Sequence, residues 1–163
     1  MHFVISTGLL HHKHTAYRNI LSGNTTLMIT RFVFYGLTGW CVDVFWTGLG
    51  SLLRGDFTLT SRTYLWMFPI YGLAIFLEPV HNSIQHWPLL VRGSIYTVLI
   101  FLTEYITGYL LQHFTGACPW DYSGTPFSIN GLIRLDYTPA WFVAGLLFER
   151  LHTLIVRISA IIG

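Results

Sequence analysis

Four long apolar stretches separated by short polar segments dominate the sequence and restrict what the chain can fold into. A helix needs roughly 20 mostly apolar residues to cross the hydrocarbon layer of a bilayer. The stretches that reach or approach this length are 32–53, 64–80, 89–114 and 139–162. The charged fraction is only 10%, whereas about a quarter is typical of soluble proteins. The sequence therefore predicts an all-α integral membrane bundle of about four transmembrane helices.

The predicted organisation is one membrane domain without an internal repeat, preceded by a leader. Residues 31–163 form the four-helix domain, with the polar CPWDYSG loop between its third and fourth helices. Residues 1–30 lack the basic segment and cleavage site of a signal peptide, so we expect a retained leader. An interfacial helix is the structure we expect for this leader. The side chains expected to face lipid are Phe3, Ile5, Leu9 and Leu10.

A histidine-rich group in the leader raises the question of a metal site. His11, His12 and His14 surround the single lysine of the chain, Lys13. No cysteine or carboxylate accompanies them, although such residues commonly complete a metal site. We interpret the group as a solvated basic stretch, and the sequence predicts no metal site.

The distribution of Lys and Arg predicts the orientation in the membrane. With four spans, the leader, the second connection and the C-terminus share one side and carry six of these residues. The opposite side carries three. The positive-inside rule then predicts cytoplasmic termini and an outer or lumenal CPWDYSG loop. Which membrane contains the protein does not follow from the sequence.

Four acids lie inside the spans or at their ends: Asp43, Glu78, Glu104 and Glu149. A charge at the bilayer centre costs about 3 kcal/mol even on permissive scales, so such residues normally face the bundle interior. Most nearby basic residues lie at span ends, so we expect some of these carboxyl groups to be protonated, hydrogen-bonded or cation-binding. We predict that the four acids form a polar intramembrane site. The alternative is that they only hold the helices together by hydrogen bonds.

The loop contains the second predicted site, which consists of Trp120, Asp121, Tyr122 and Ser123. The two aromatic residues are expected to anchor the loop at the level of the lipid headgroups. Asp121 and Ser123 are expected to cap backbone N–H groups or to reach into the bundle. A purely structural turn is the alternative, because Asp-Tyr-Ser-Gly is also favourable turn chemistry.

The segment "CPWDYSGTPFSINGLIRLDYTPAWFVAGLLFE" resembles the signature of a small membrane protein family. Its bacterial members are labelled CmpB-like ABC transporter permeases, and its animal members form the transmembrane protein 229 group. Further upstream, "GWCVDV" and "PIYGLAIFLEPV" resemble the motifs of the first and second spans. The likeness covers about residues 31–150 and is nearer to the animal members. It implies a fold and a topology, whereas the permease label comes without a mechanism.

Three hypotheses for the function remain open at this point. The first is a non-enzymatic protein whose polar cavity binds or transports a small solute or ion. The second is a membrane-embedded enzyme acting on a lipid, with Glu104 and Asp121 as an acid–base pair. The third is a structural or regulatory subunit. The first hypothesis assigns no catalytic residue, and the sequence identifies no cofactor.

The predicted surroundings and partners follow from the same composition. The lipid bilayer is the predicted environment, and no Lys/Arg cluster indicates a nucleic-acid partner. A small solute, an ion or a lipid are the candidate ligands. The sequence is also compatible with a homo-oligomer or a partner membrane subunit.

Overall fold

The structure is a computed structural model that describes the backbone of residues 5–162 and the side chains of residues 25–158. Its α-helices are α1 (Ile5–Leu53), α2 (Met67–Gly72), α3 (Leu77–Ile84), α4 (Leu89–Thr115) and α5 (Thr138–Ile162). Two short strands, β1 (Ser128–Ile129) and β2 (Ile133–Arg134), pair antiparallel between α4 and α5. Short 3-10 helices occupy Leu73–Phe76 and Leu135–Tyr137.

Three helical segments in the described part of the chain are long and apolar enough to cross a membrane. They are Thr25–Leu53, Leu89–Thr115 and Leu135–Ile158. These segments overlap the first, third and fourth predicted spans, which were 32–53, 89–114 and 139–162. The prediction of an all-α integral membrane bundle is therefore confirmed.

The second predicted span is a composite of α2, a 3-10 helix and α3, which together run from Met67 to Ile84. These 18 residues would extend roughly 27 Å at 1.5 Å per residue, slightly less than the hydrocarbon thickness. Pro79 has no backbone N–H to donate to the preceding turn. It lies in the first turn of α3, immediately after the 3-10 helix, where such a donor is dispensable.

The predicted leader does not end at a helix boundary, since α1 continues from Ile5 through residue 30 into the first span. The expected lipid-facing side chains Phe3, Ile5, Leu9 and Leu10 lie outside the side chains that the structure describes. The same applies to the histidine-rich group at residues 11–14.

The core lies where α1, α3, α4 and α5 meet, and it is aromatic. Tyr35 of α1 and Tyr96 of α4 are the largest fully buried side chains of the described region. Phe148 of α5 contacts both rings, with centroid distances of 5.5 Å and 5.9 Å. Buried tyrosine hydroxyl groups need hydrogen-bond partners, and the polar residues of the candidate site supply them.

Candidate functional site

Glu78 lies at the start of α3 and binds two residues of α1. Arg31 Nη1 is 2.9 Å from Glu78 Oε2, and the Tyr35 hydroxyl donates a hydrogen bond of 2.8 Å to Oε1. Arg31 and Tyr35 are four residues apart and therefore lie on one face of α1. This carboxyl group is buried, yet both of its oxygens have a donor.

Glu149 lies within α5 and has an equivalent set of neighbours. Arg92 Nη1 is 3.0 Å from Glu149 Oε2, and His81 Nδ1 is 3.6 Å from Oε1. The hydroxyl group of Tyr96 also faces this carboxyl group. Glu149 Oε1 is buried and has no hydrogen-bond partner within residues 25–158.

Two histidines join these ion pairs into one network. The ring centroids of His81 and His152 are 5.2 Å apart. His152 Nδ1 lies 3.0 Å from the Tyr35 hydroxyl and 3.4 Å from Glu78 Oε1. His81 Nδ1 lies 3.1 Å from the Tyr96 hydroxyl. We call this network the arginine layer; its residues are Arg31, Tyr35, Glu78, His81, Arg92, Tyr96, Glu149 and His152.

The arginine layer shows that two of the four acids have basic partners although these partners lie near span ends. Arg31 and Arg92 each lie near the beginning of a segment that can cross the membrane, and their side chains extend to the acids on α3 and α5. Long arginine side chains can span such a distance while their stems pack against apolar neighbours. Glu78 and Glu149 are therefore held in ion pairs.

Asp43 and Glu104 lie further along α1 and α4, in a second polar group. From Arg31 to Asp43 the helix advances 12 residues, or roughly 18 Å. Asp43 Oδ2 accepts a hydrogen bond of 2.5 Å from the Thr63 hydroxyl, and the Tyr71 hydroxyl also reaches this carboxyl group. The four predicted acids are thus divided between two levels.

Glu104 receives its hydrogen bond from the loop between α4 and α5. The Tyr122 hydroxyl donates to Glu104 Oε1 over 3.1 Å. The Trp141 indole lies beside the same carboxyl group. Glu104 Oε2 and Trp141 Nε1 are both buried and lack a hydrogen-bond partner of acceptable geometry in the described region. We call the group of Asp43, Thr63, Tyr71, Glu104, Tyr122 and Trp141 the carboxyl layer.

The loop is folded against the bundle by Trp120. This side chain is only 8% exposed, and its Nε1 donates a hydrogen bond of 2.9 Å to the carbonyl oxygen of Leu132. Its ring packs against Gly108 of α4, where a larger residue would meet the indole. The predicted role of Trp120 as a headgroup anchor is therefore wrong, because burial within the protein holds it instead.

Asp121 and Ser123 stabilise the turn and are exposed. Asp121 Oδ1 accepts a hydrogen bond of 2.8 Å from the Ser123 N–H. Hydrogen bonds from the side chain and the backbone of Ser123 lower the pKa of Asp121. Gly131 has a positive φ of 70°, and a Cβ there would collide with Ser123. Among the described residues of this loop, Tyr122 and not Asp121 contacts Glu104.

Tyr122 connects the carboxyl layer to an aromatic group at the end of the loop. Its ring lies 5.9 Å from that of Tyr137, and the Arg134 guanidinium lies 4.5 Å from the Tyr137 centroid. Burial raises the pKa of the Tyr122 hydroxyl, and the negative charge of Glu104 raises it further. Tyr122 consequently keeps its proton and acts as a hydrogen-bond donor.

Several residues of the two layers were not predicted as site residues. The sequence does contain signals for them, because residues three or four apart share a helix face. Arg31 precedes Tyr35 by four positions, and Glu78 precedes His81 by three. The unpredicted residues are Arg31, Tyr35, Thr63, Tyr71, His81, Arg92, Tyr96, Trp141 and His152.

A comparison with protein-family models assigns the chain to a family. Residues 30–162 match the model of the CmpB family, which is described as "Putative ABC-transporter type IV". The chain belongs to this family. The matched range contains every residue of both layers and confirms the predicted family. No solved structure matches the chain, and assignment to the transmembrane protein 229 group stays a prediction.

CmpB family membership and the three apolar helices together make this an integral membrane protein. The bilayer is accordingly its environment. They also agree with a function related to transport, which is the activity that the family description names.

Proposed function

We propose that this CmpB family member transports an ion, and that Asp43 and Glu104 bind a cation inside the membrane. The contrast between the two layers carries the proposal. Glu78 and Glu149 each have an arginine partner. In contrast, no basic side chain of the described region forms an ion pair with Asp43 or Glu104. A buried carboxylate without a counter-charge takes up a proton or attracts a cation.

The neighbours of the carboxyl layer suit a cation. Thr63 and Tyr122 are hydroxyl donors, and a hydroxyl group can rotate so that its oxygen faces a cation instead. Glu104 Oε2 already lacks a hydrogen-bond partner within the described region. The Tyr71 hydroxyl group also reaches the carboxyl group of Asp43, and its oxygen can face a cation in the same way.

Transport through these acids is favoured over the enzymatic alternative by the loop geometry. An acid–base pair of Glu104 and Asp121 needs the two carboxyl groups within proton-transfer reach. The Asp121 carboxylate instead belongs to a turn with Ser123, and Tyr122 is the loop residue hydrogen-bonded to Glu104.

Flux into liposomes tests the proposal with the purified full-length protein. Proteoliposomes contain a pH-sensitive dye in one arm and a sodium-sensitive dye in the other, and a potassium diffusion potential drives cation entry. We expect entry of protons or of sodium above that of protein-free liposomes. Glu104→Gln should abolish the flux because it removes the carboxylate, whereas Glu104→Asp should retain part of it.

The control for this experiment is Asp121→Asn, which changes an exposed carboxyl group of the same loop. Asparagine can still accept the hydrogen bond from Ser123, so we expect an unchanged flux. Gel filtration and thermal melting verify the fold of every variant. Wild-type protein without flux in either arm, or full flux in folded Glu104→Gln, contradicts the proposal and favours a structural subunit.

A further inference from the structure

The chain can be divided into two halves, of which the first begins with α1 and the second with α4. These two helices carry similar polar residues at the same spacing. In α1 and α4, an arginine, a tyrosine, an acid and a glycine follow one another at identical intervals. Each second-half residue lies 61 positions after its first-half counterpart. The four pairs are Arg31 and Arg92, Tyr35 and Tyr96, Asp43 and Glu104, and Gly55 and Gly116. Both glycines follow the end of their helix with a positive φ, 86° and 77°.

The second helix of each half repeats in the same way, with an offset of 71 positions. The composite segment begins at Met67 and α5 begins at Thr138. Glu78 and His81 correspond at this offset to Glu149 and His152. Ile84 and Ile155 also correspond, and both are buried, at 6% and 5% exposure. The ten additional residues lie in the connection between α4 and α5, which contains the CPWDYSG loop.

The contacts repeat together with the spacing. Within each half, the arginine of the first helix pairs with the glutamate of the second, at 2.9 Å and 3.0 Å. Between the halves, each histidine approaches the glutamate of the other half. His152 Nδ1 lies 3.4 Å from Glu78, and His81 Nδ1 lies 3.6 Å from Glu149.

The carboxyl layer follows the same rule. In each half, the connection between the two helices supplies a hydroxyl group to the acid on the first helix. Thr63 donates to Asp43, and Tyr122 donates to Glu104. In both halves the first helix therefore runs from the arginine layer to the carboxyl layer. An axis that relates the halves must then lie parallel to these helices.

We propose that residues 31–84 and 92–155 are two copies of one helix hairpin related by a pseudo-two-fold axis, and that His81 and His152 form one proton-binding site on this axis. The proposal does not rest on cation binding by the carboxyl layer. The Arg–Glu ion pairs of the arginine layer need no ligand. The proposal adds a proton as a ligand of the histidine pair in this layer.

The hydrogen bonds of His152 define where the proton binds. The Tyr35 hydroxyl donates its only proton to Glu78 Oε1, so its oxygen accepts the Nδ1–H of His152. Nε2 of this neutral imidazole then carries the lone pair that takes up a proton from water. His81 Nδ1 likewise lies within hydrogen-bond distance of a tyrosine hydroxyl group, at 3.1 Å from that of Tyr96.

The charges around the two rings favour one proton over two. Glu78 from α3 and Glu149 from α5 stabilise an imidazolium, whereas Arg31 from α1 and Arg92 from α4 oppose it. The Tyr35 and Tyr96 hydroxyl groups contact the rings without adding charge. Two imidazolium rings with centroids 5.2 Å apart would repel each other. Binding of the first proton therefore weakens binding of the second.

Histidine NMR of the full-length protein in detergent micelles tests the shared site. The Cε1–H signals are followed from about pH 4 to about pH 9, which brackets the ordinary imidazole pKa of about 6.5. We expect His81 and His152 to titrate in two steps separated by more than about one pH unit. His152→Gln should leave a single step for His81, and His81→Gln should leave a single step for His152.

Crossed carboxyl variants test the pseudo-two-fold arrangement. Glu78→Gln should lower the titration midpoint of His152 more than that of His81, and Glu149→Gln should do the reverse. The control is His86→Gln, which removes an exposed histidine and should change neither midpoint. If His81 and His152 of the wild-type protein each titrate in one independent step with the same midpoint, the proposal is overturned. The proposal is also overturned if Glu78→Gln shifts the midpoint of His81 more than that of His152, or if Glu149→Gln shifts that of His152 more.

Discussion

At the level of single residues, burial distinguishes two tryptophans that look alike in the sequence. Both Trp87 and Trp120 lie near a span end, yet Trp87 is 51% exposed and Trp120 is 8% exposed. Trp120 also donates a hydrogen bond to the Leu132 carbonyl oxygen. Trp120→Ala should therefore remove about 3 kcal/mol or more of stability. Thermal melting in detergent should show a decrease of several degrees.

Two further variants separate the contributions to this effect. Trp87→Ala removes an exposed ring of equal size, and we expect little change in the melting temperature. Trp120→Phe keeps much of the packing but leaves the Leu132 carbonyl group without its donor, so we expect an intermediate decrease. Equal melting temperatures for Trp120→Ala and Trp87→Ala would show that the loop is not anchored by burial.

The candidate acids could be predicted from the sequence, but their partners could not. A carboxyl group inside an apolar stretch is conspicuous in a single segment, as Glu104 illustrates. Its hydrogen-bond donor Tyr122 is 18 positions away and belongs to a loop, so only the folded chain brings the two together. The Arg31–Glu78 pair, separated by 47 positions, is equally invisible to local spacing.

At the level of elements, the contact between α4 and α5 depends on a close approach at Gly93. A Cβ at this buried position would overlap the ring of Phe142 on α5. Gly93→Ala should therefore force the helices apart and cost about 1–3 kcal/mol, as overpacking typically does. We expect a lower melting temperature despite the better helix propensity of alanine.

The matched control is Gly50→Ala in α1, since both changes add one methyl group to a helix. A Cβ at Gly50 meets only the end of the Arg54 side chain, at 3.4 Å. The melting temperature of the Gly50→Ala protein should stay the same or rise slightly. A Gly93→Ala protein as stable as Gly50→Ala would contradict the close packing of α4 against α5.

The long helices were predictable because length and apolar composition determine them within one segment. The composite segment was predicted as one span from the same composition, but the 3-10 helix at Leu73–Phe76 within it was not predicted. Gly72 packs against the ring of Phe32 on α1, which no property of residues 64–80 indicates. Such a contact between distant residues is visible only in the folded chain.

At the level of the whole molecule, the two polar layers divide the bundle by charge. In the arginine layer each acid has a basic partner, so its charges largely cancel. In the carboxyl layer Asp43 and Glu104 have hydroxyl and aromatic neighbours. The proposed repeat is hard to recognise in the sequence because only isolated residues match between residues 31–84 and 92–155. Their contacts in the fold make the common spacing recognisable.

The path of the chain between the layers makes the predicted topology testable. Tyr71 lies at the carboxyl layer and His81 at the arginine layer, so the composite segment runs opposite to α1. Thr60 and Arg157 are both exposed and should therefore lie on opposite sides of the membrane. In a chain without its two native cysteines, Thr60→Cys should react with an impermeant maleimide added outside intact cells. Arg157→Cys should react only after permeabilisation, because the positive-inside rule predicts a cytoplasmic C-terminus. The reverse pattern would invert the orientation and keep the fold. Labelling of both positions from the same side would contradict the four-crossing bundle itself.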